Sequence, residues 1–304
     1  FADDGMVTVI DSTLSGNVAD ESGGAIYVID GSVTVTGSQF VENAALSSRG
    51  GGIFAKDGMV SVEHSTFSGN TAGVDGGAIF SGEGNVTIAN SQLSDNHAQG
   101  DKGGAVYSRG GVVTVTGSTL SGNSAGRGGG AIYFDLGNLT IINAQLSGNS
   151  AGARGGAIYS ERSPVHVVNS TIVLNTSDDR GGGISAEDVT VQNSIIALNT
   201  AVIDETDIRA DTLTIDHSLI GDNTGTSLAE DQTGASGSFV GTALNPIDPL
   251  LGPLKNNGGL VETHALLAGS LAIDSGDNSL AVDATNANAA LTTDGRGGFF
   301  ARIS

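Results

Sequence analysis

The sequence predicts an all-β fold, a right-handed parallel β-helix of about nine coils of 24–27 residues with a C-terminal cap. Three periodic observations predict it. A glycine-rich motif, GGA/G-I/V, starts at Gly23, Gly50, Gly76, Gly103, Gly129, Gly155 and Gly181, at intervals of 26 or 27 residues. An apolar residue three places before Asn recurs at Asn17, Asn43, Asn70, Asn96, Asn123, Asn149, Asn175, Asn199 and Asn223. A "VTVT"-type run opens ten residues before that Asn in all nine copies. A fixed period of this length is the signature of a solenoid, because each unit can bury its apolar side only against its neighbours.

Within each unit, "GGAIY", "VTVxxS" and "STLSGN" alternate with period two and are too short and glycine-rich for helices, so three strands and three turns are expected per coil. The one-residue slack falls between the Asn and the next glycine pair, which places a loop there. Stacking at about 4.8 Å per coil makes residues 1–223 a rod on the order of 40 Å long, and right-handedness is the rule for parallel crossovers. The glycine pair is gone from the coil after Asn199, the period ends near Thr224, and Pro246, Pro249 and Pro253 follow. Residues 224–304 are therefore expected to form the cap that a solenoid needs over its open end, with Leu250, Leu251, Leu254, Leu266, Leu267 and Ile273 as its apolar side. "FADDGMV" at the start matches "FAKDGMV" at 54–60, which puts Phe1 at position five of a coil and implies further coils upstream.

Composition agrees with this reading. Of 304 residues, 48 are Gly, and β-branched and turn-forming residues dominate. A net charge of −21 argues against nucleic acid or an anionic membrane as a partner. There is no cysteine, hence neither a disulfide nor a thiolate metal site, and no apolar run long enough for a transmembrane segment.

Two resemblances follow from the motifs. "GGAI" recurring with "FVEN" (40–43) and "FSGN" (67–70) resembles the repeats of the polymorphic outer-membrane proteins of chlamydiae, which are secreted autotransporter adhesins; Leu or Ile replaces Phe in seven of the nine copies. The tail "DPLLGPLKNNGGLVETHALLAGSLAIDSGDN" with "TTDGRGGF", about residues 248–299, is similar to the choice-of-anchor Q region of bacterial extracellular β-helix proteins. The resemblances imply an exported bacterial surface protein and no particular reaction.

In a stacked coil every repeat position becomes a column. The Asn column, Asn17 to Asn223, reads as an inward amide ladder. Position five after the glycines holds Tyr27, Phe54, Phe80, Tyr107, Tyr133 and Tyr159, then Ser185. The column two residues on is mostly polar, so alternation turns the rings outward, as a stripe that could stack on sugars or pack on a partner; the competing reading buries them in the core or under a loop. A basic column precedes the glycines: Arg49, Lys102, Arg154 and Arg180, with Arg127 one place earlier. It either awaits an anionic group or pairs with Asp75, Asp101 and Asp179.

Asp135, Glu161 and Glu187 share one register in three successive coils, about 5 Å and 10 Å apart, the spacing of glycosidase carboxylate pairs. Their repulsion should raise a pKa or favour a cation such as Ca²⁺. A Thr-rich column from Thr8 to Thr214 invites an ice-binding reading, but its partner column is irregular. The five histidines show no metal-ligand spacing, and no cofactor motif is present.

The function expected is an extracellular, cell-surface rod: a stalk, fibre or adhesin segment without catalysis that meets a glycan, a cell-surface component or its own copies. A polysaccharide lyase, epimerase or hydrolase working along one face is the alternative, and ice binding a minor one.

Overall fold

In the computed structural model, which describes residues 1–204, 206–283 and 289–291, the chain is an all-β parallel solenoid. Each of the first seven coils holds four strands rather than the expected three, as in Ile53–Asp57, Val60–Glu63, Thr66–Ser68 and Thr71–Ala72. The fourth is a two-residue strand directly after the Asn, inside the segment expected to be loop. It forms because the Asn side chain holds the following residues in register, so that His97 N–H donates to Asn70 O at 2.9 Å.

Like strands of successive coils pair in parallel, residue for residue, as Val60↔Val86 and Phe67↔Leu93. They make a 16-stranded sheet from the two longer strands of each coil, a ten-stranded sheet from the "TLS" strands and an eight-stranded sheet from the two-residue strands. We call them sheets A, B and C. Eight coils thus contribute to every sheet, against the nine expected, since the Asn223 copy adds nothing to sheet C. Sheet A is continuous because Ile184–Gln192 runs straight through a corner that bends in earlier coils; the shortening to 24 residues removes two residues from that corner.

The alternation read from the sequence holds. In Val33–Thr36 the valines are buried and the threonines half-buried. The interior is filled by stacked Ile, Val and Ala from sheet A and by Phe40, Phe67, Leu93, Leu120, Leu146, Ile172, Ile196 and Ile220 from sheet B. The residue before the Asn has positive φ, which Gly supplies without strain at Gly69 and Gly122, whereas Leu174 (φ 60°) and Leu198 (φ 59°) adopt it against their own sterics.

The Asn column is a ladder from Asn17 to Asn199. Each Nδ2 donates to the Oδ1 of the next coil's Asn, as from Asn70 to Asn96 at 2.9 Å, and each buried Asn also donates to an earlier backbone carbonyl, as from Asn70 to Phe40 O. The same Oδ1 accepts the backbone N–H of the preceding Asn at 3.1 Å, so no polar atom of a buried rung is left without a partner. Asn223 does not extend the ladder and donates instead to Leu228 O. Its expected place is taken by Asp207, which accepts from Asn199 N (3.1 Å), Asn199 Nδ2 (2.8 Å) and Asp222 N (2.7 Å). All ladder amides point their N–H groups towards this end, so a carboxylate is the natural terminator. Asp207 is 1% exposed, and burial pushes its carboxyl up to about 7 although the three donors pull it down.

A second ladder escaped the sequence reading. Ser38, Ser65, Ser91 and Ser118 each accept the backbone N–H of the serine one coil earlier, as Ser65 N to Ser91 Oγ at 3.1 Å. The column resumes at Ser170 after Ala144 interrupts it.

Beyond Asn223, Phe239–Val240 adds the tenth strand of sheet B by pairing with Leu219–Ile220. The chain then returns along the outer face of sheet B. Thr119 Oγ1 donates to Glu262 O (2.6 Å), Gln92 Nε2 to Glu262 Oε2 (3.2 Å), His264 Nε2 lies 3.0 Å from Ser147 Oγ, and Asn193 exchanges two bonds with Asp277. This strap burial differs from the expected apolar side. Leu266, Leu267 and Ile273 are exposed and Leu250, Leu251 and Leu254 only half-buried, while Val240, Ile247 and Val261 are buried. Part of the expected cap (284–288 and 292–304, including "TTDGRGGF") lies outside the described residues.

Two outcomes follow. Asn96→Ala leaves the Asn70 N–H and Nδ2 donors without their acceptor and takes one of its two donors from Asn123 Oδ1, so chemical denaturation should show a loss of about 2–5 kcal/mol, against less than about 1 for Asn223→Ala with its single side-chain bond. For Asp207 the folded pKa lies above its ordinary value of 3.8, so the fold favours the protonated form. That stabilisation is complete below about pH 4 and is lost as pH rises through about 7. Unfolding free energies measured from pH 4 to 8 should show the chain losing stability relative to Asp207→Asn as pH rises.

Candidate functional site

The aromatic column lies on the outer face of sheet A. Ile26, Ile53 and Ile79 point into the core, and alternation sends Tyr27, Phe54 and Phe80 the other way. From Phe1 to Tyr133 the rings stack face to face, with centroids 4.8–5.4 Å apart and planes within 18°. The coil repeat along the axis, about 4.8 Å, is close to the stacking distance of aromatic rings, so register alone builds this ladder.

The same stacking limits the exposure of the stripe, leaving Tyr27, Tyr107 and Tyr159 half-buried. Phe54, Phe80 and Tyr133 are 8%, 4% and 1% exposed although they lie outside the core. Neighbouring rings cover their faces, the Arg49 guanidinium sits 5.0 Å from the Phe80 centroid and Lys102 Nζ 4.2 Å from that of Tyr133. A sugar cannot stack on faces already taken; these rings offer their electropositive edges to the groove.

The basic column pairs mostly as its acidic neighbours suggested. Arg49 binds Asp75 (3.0 Å), Arg154 binds Asp179 (3.1 Å), and Arg127 and Arg180 approach Asp101 and Asp179 at 3.6 and 3.7 Å. Burial raises the Asp75 carboxyl above its ordinary range, with Arg49 opposing. Lys102 departs from the pattern. Its Nζ reaches across the ladder to Tyr133 Oη (2.9 Å) and to Glu161 Oε2 (3.6 Å), and Tyr133 donates to the same Glu161 oxygen at 2.5 Å.

The acidic register does not behave as a repelling set. The Tyr133 hydroxyl and then Lys102 and Arg162 hold the Glu161 carboxyl below the usual carboxylate range, opposite to the raised pKa expected from neighbouring acids. Asp135 is clamped by Arg162 at 2.8 and 3.2 Å, and Glu187 is exposed on the next coil. Burial drives Tyr133 far above the ordinary tyrosine range and Tyr107 up to about 12, so both keep their protons. Among the described residues no group of three or more His, Asp or Glu converges as a cation site. The Thr column faces outward with uneven exposure, from exposed Thr8 to buried Thr140.

Two depressions open along the ladder. One, of about 560 Å³, is floored by Phe54, Phe80 and Tyr107 and rimmed by Arg49, Lys56, Asp57, Glu83 and Arg109. The other, of about 320 Å³, is lined by Lys102, Arg127, Arg154, Tyr159, Glu161 and Asp179 around Gly128. Together they bring most of the residues singled out from the sequence to one groove along the ladder; Tyr133 and Asp135 line neither depression, nor do Tyr27, Arg180 and Glu187. Lys56, Asp57, Glu83, Arg109 and Gly128 line the groove without having been singled out from the sequence. Gly128 was legible by period, since it fills the basic-column position between Lys102 and Arg154.

A family model described as the right handed beta helix region matches residues 1–172, more than half of the chain. No curated protein and no solved structure matches. Among the described residues no helix is long and apolar enough to cross a membrane. The family match agrees with the coil geometry, and the chain is a member of the right-handed β-helix family.

Proposed function

We propose that this chain is a non-catalytic segment of an exported bacterial surface rod, an adhesin or stalk that presents the groove of sheet A to a glycan. The observation that carries the reading is that many charged groups on this face of sheet A are held in pairs: Arg49 with Asp75, Arg154 with Asp179, Asp135 with Arg162, and Glu161 with Tyr133 and Lys102. Such a surface is pre-organised for recognition. Hydrolysis would need an acid protonated near neutral pH, and Glu161 is pulled the other way. The unbroken strand register through the coils supports a scaffold, since enzymes graft their sites on irregular loops.

One observation favours polysaccharide chemistry as a second reading: the Lys102–Tyr133–Glu161 cluster places a cation, a phenol and a carboxylate at one point of the groove. Incubation with acidic and neutral polysaccharides from pH 4 to 9, followed by reducing-end and unsaturated-product assays, separates the two. The rod reading expects no product and retention on immobilised glycan; turnover abolished by Glu161→Gln would establish the enzyme instead.

A further inference from the structure

The aromatic ladder breaks at one point. Tyr133 and Tyr159 meet at 67°, with centroids 5.5 Å apart, whereas every earlier pair is stacked. Because the stacked rings lie across the rod axis, this rotation turns Tyr159 nearly along it and directs a face sideways. On the far side its strand partner is Ser185, so no further ring covers it.

Gly128 makes the rotation possible. A Cβ at this position would lie 2.5 Å from Tyr159 Cδ1 and 3.3 Å from Cε1. The basic column therefore carries a glycine where the ring swings in. The Tyr159 hydroxyl lies beside the Arg154 guanidinium, and the ring shares its depression with Lys102, Arg127, Glu161 and Asp179. Three cations against two carboxylates line it, in a chain of net charge −21.

We infer that this depression is a subsite for one pyranose unit of an acidic glycan. The free face of Tyr159 stacks on the apolar face of the sugar ring, Arg154 and Lys102 receive its carboxylate, and Glu161 accepts from its hydroxyls. At about 320 Å³ the depression falls at the lower end of small-ligand sites. The stacked rings from Phe1 to Tyr133 supply stiffness and an electropositive edge to the same groove, and no platform. The inference rests on the glycan-display reading and assigns its contact point.

The test is calorimetric titration of the full chain with a hyaluronan hexasaccharide, which carries uronates, and with neutral cellohexaose. The acidic hexasaccharide should bind and cellohexaose should bind at least about tenfold more weakly. Tyr159→Ala and Gly128→Ala should each raise Kd about tenfold or more, with far-UV circular dichroism unchanged. Tyr159→Phe keeps the platform and should stay within about threefold of the parent. Asn96→Ala, in the buried amide ladder away from the groove, should lower Tm and leave Kd unmoved. If neither sugar binds, the glycan-display reading itself fails. Binding that survives Tyr159→Ala and Gly128→Ala would overturn the subsite alone, and equal affinity for cellohexaose would overturn its acidic class.

Discussion

The structure depends on one constraint: each coil must lie in register on the next. Parallel pairing at the strand spacing fixes the repeat along the axis, and everything else follows from sequence positions falling above one another. An Asn at one position becomes an amide ladder in which each rung satisfies the next. An aromatic at another becomes a stack, and a cation beside an acid becomes a row of ion pairs. The same constraint exacts strain where the chain must turn. The position before the Asn needs positive φ whatever residue occupies it, and Leu174 and Leu198 adopt it.

Register also explains why the aromatic column is a poor sugar platform along most of its length. Ring spacing imposed by the backbone equals stacking spacing, so each ring spends its faces on its neighbours. The exterior ladder then contributes stability much as a core would, which is how rings outside the helix interior come to be 1–8% exposed at Phe54, Phe80 and Tyr133. Recognition is confined to the place where stacking stops, and a glycine in the basic column marks that place.

Most of the solenoid was legible in the sequence because its period is written in residues with strict requirements: Asn at the inward corner, glycine at the tight turn, Ile and Val on the core face. The fourth strand was not, because two-residue strands carry no alternation to read, and they exist only through the ladder beside them. The ladder's end at Asp207 was hidden by an Asn motif at 223 that matches the pattern yet bonds elsewhere. At the groove, the identity and outward direction of the rings followed from alternation. Their mutual shielding, the reach of Lys102 across to Glu161 and the clamp of Arg162 on Asp135 depend on side-chain conformations that no spacing encodes. The strap on sheet B was equally invisible, since its contacts join residues as far apart as Gln92 and Glu262.

The dependence on register is open to a direct measurement on two deletion variants. Removing Val18–Asn43 excises one 26-residue repeat and joins Asn17 to Ala44, away from the strap, so that Asn17 stacks on Asn70 and Phe1 on Phe54. Removing Val18–Glu42 instead shifts the junction by one residue, which turns inward residues outward at the seam. If register governs the fold, the first variant unfolds in one cooperative transition near the parent's midpoint, and the second loses its first coil to early unfolding or proteolysis. Equal stability of the two variants would contradict it.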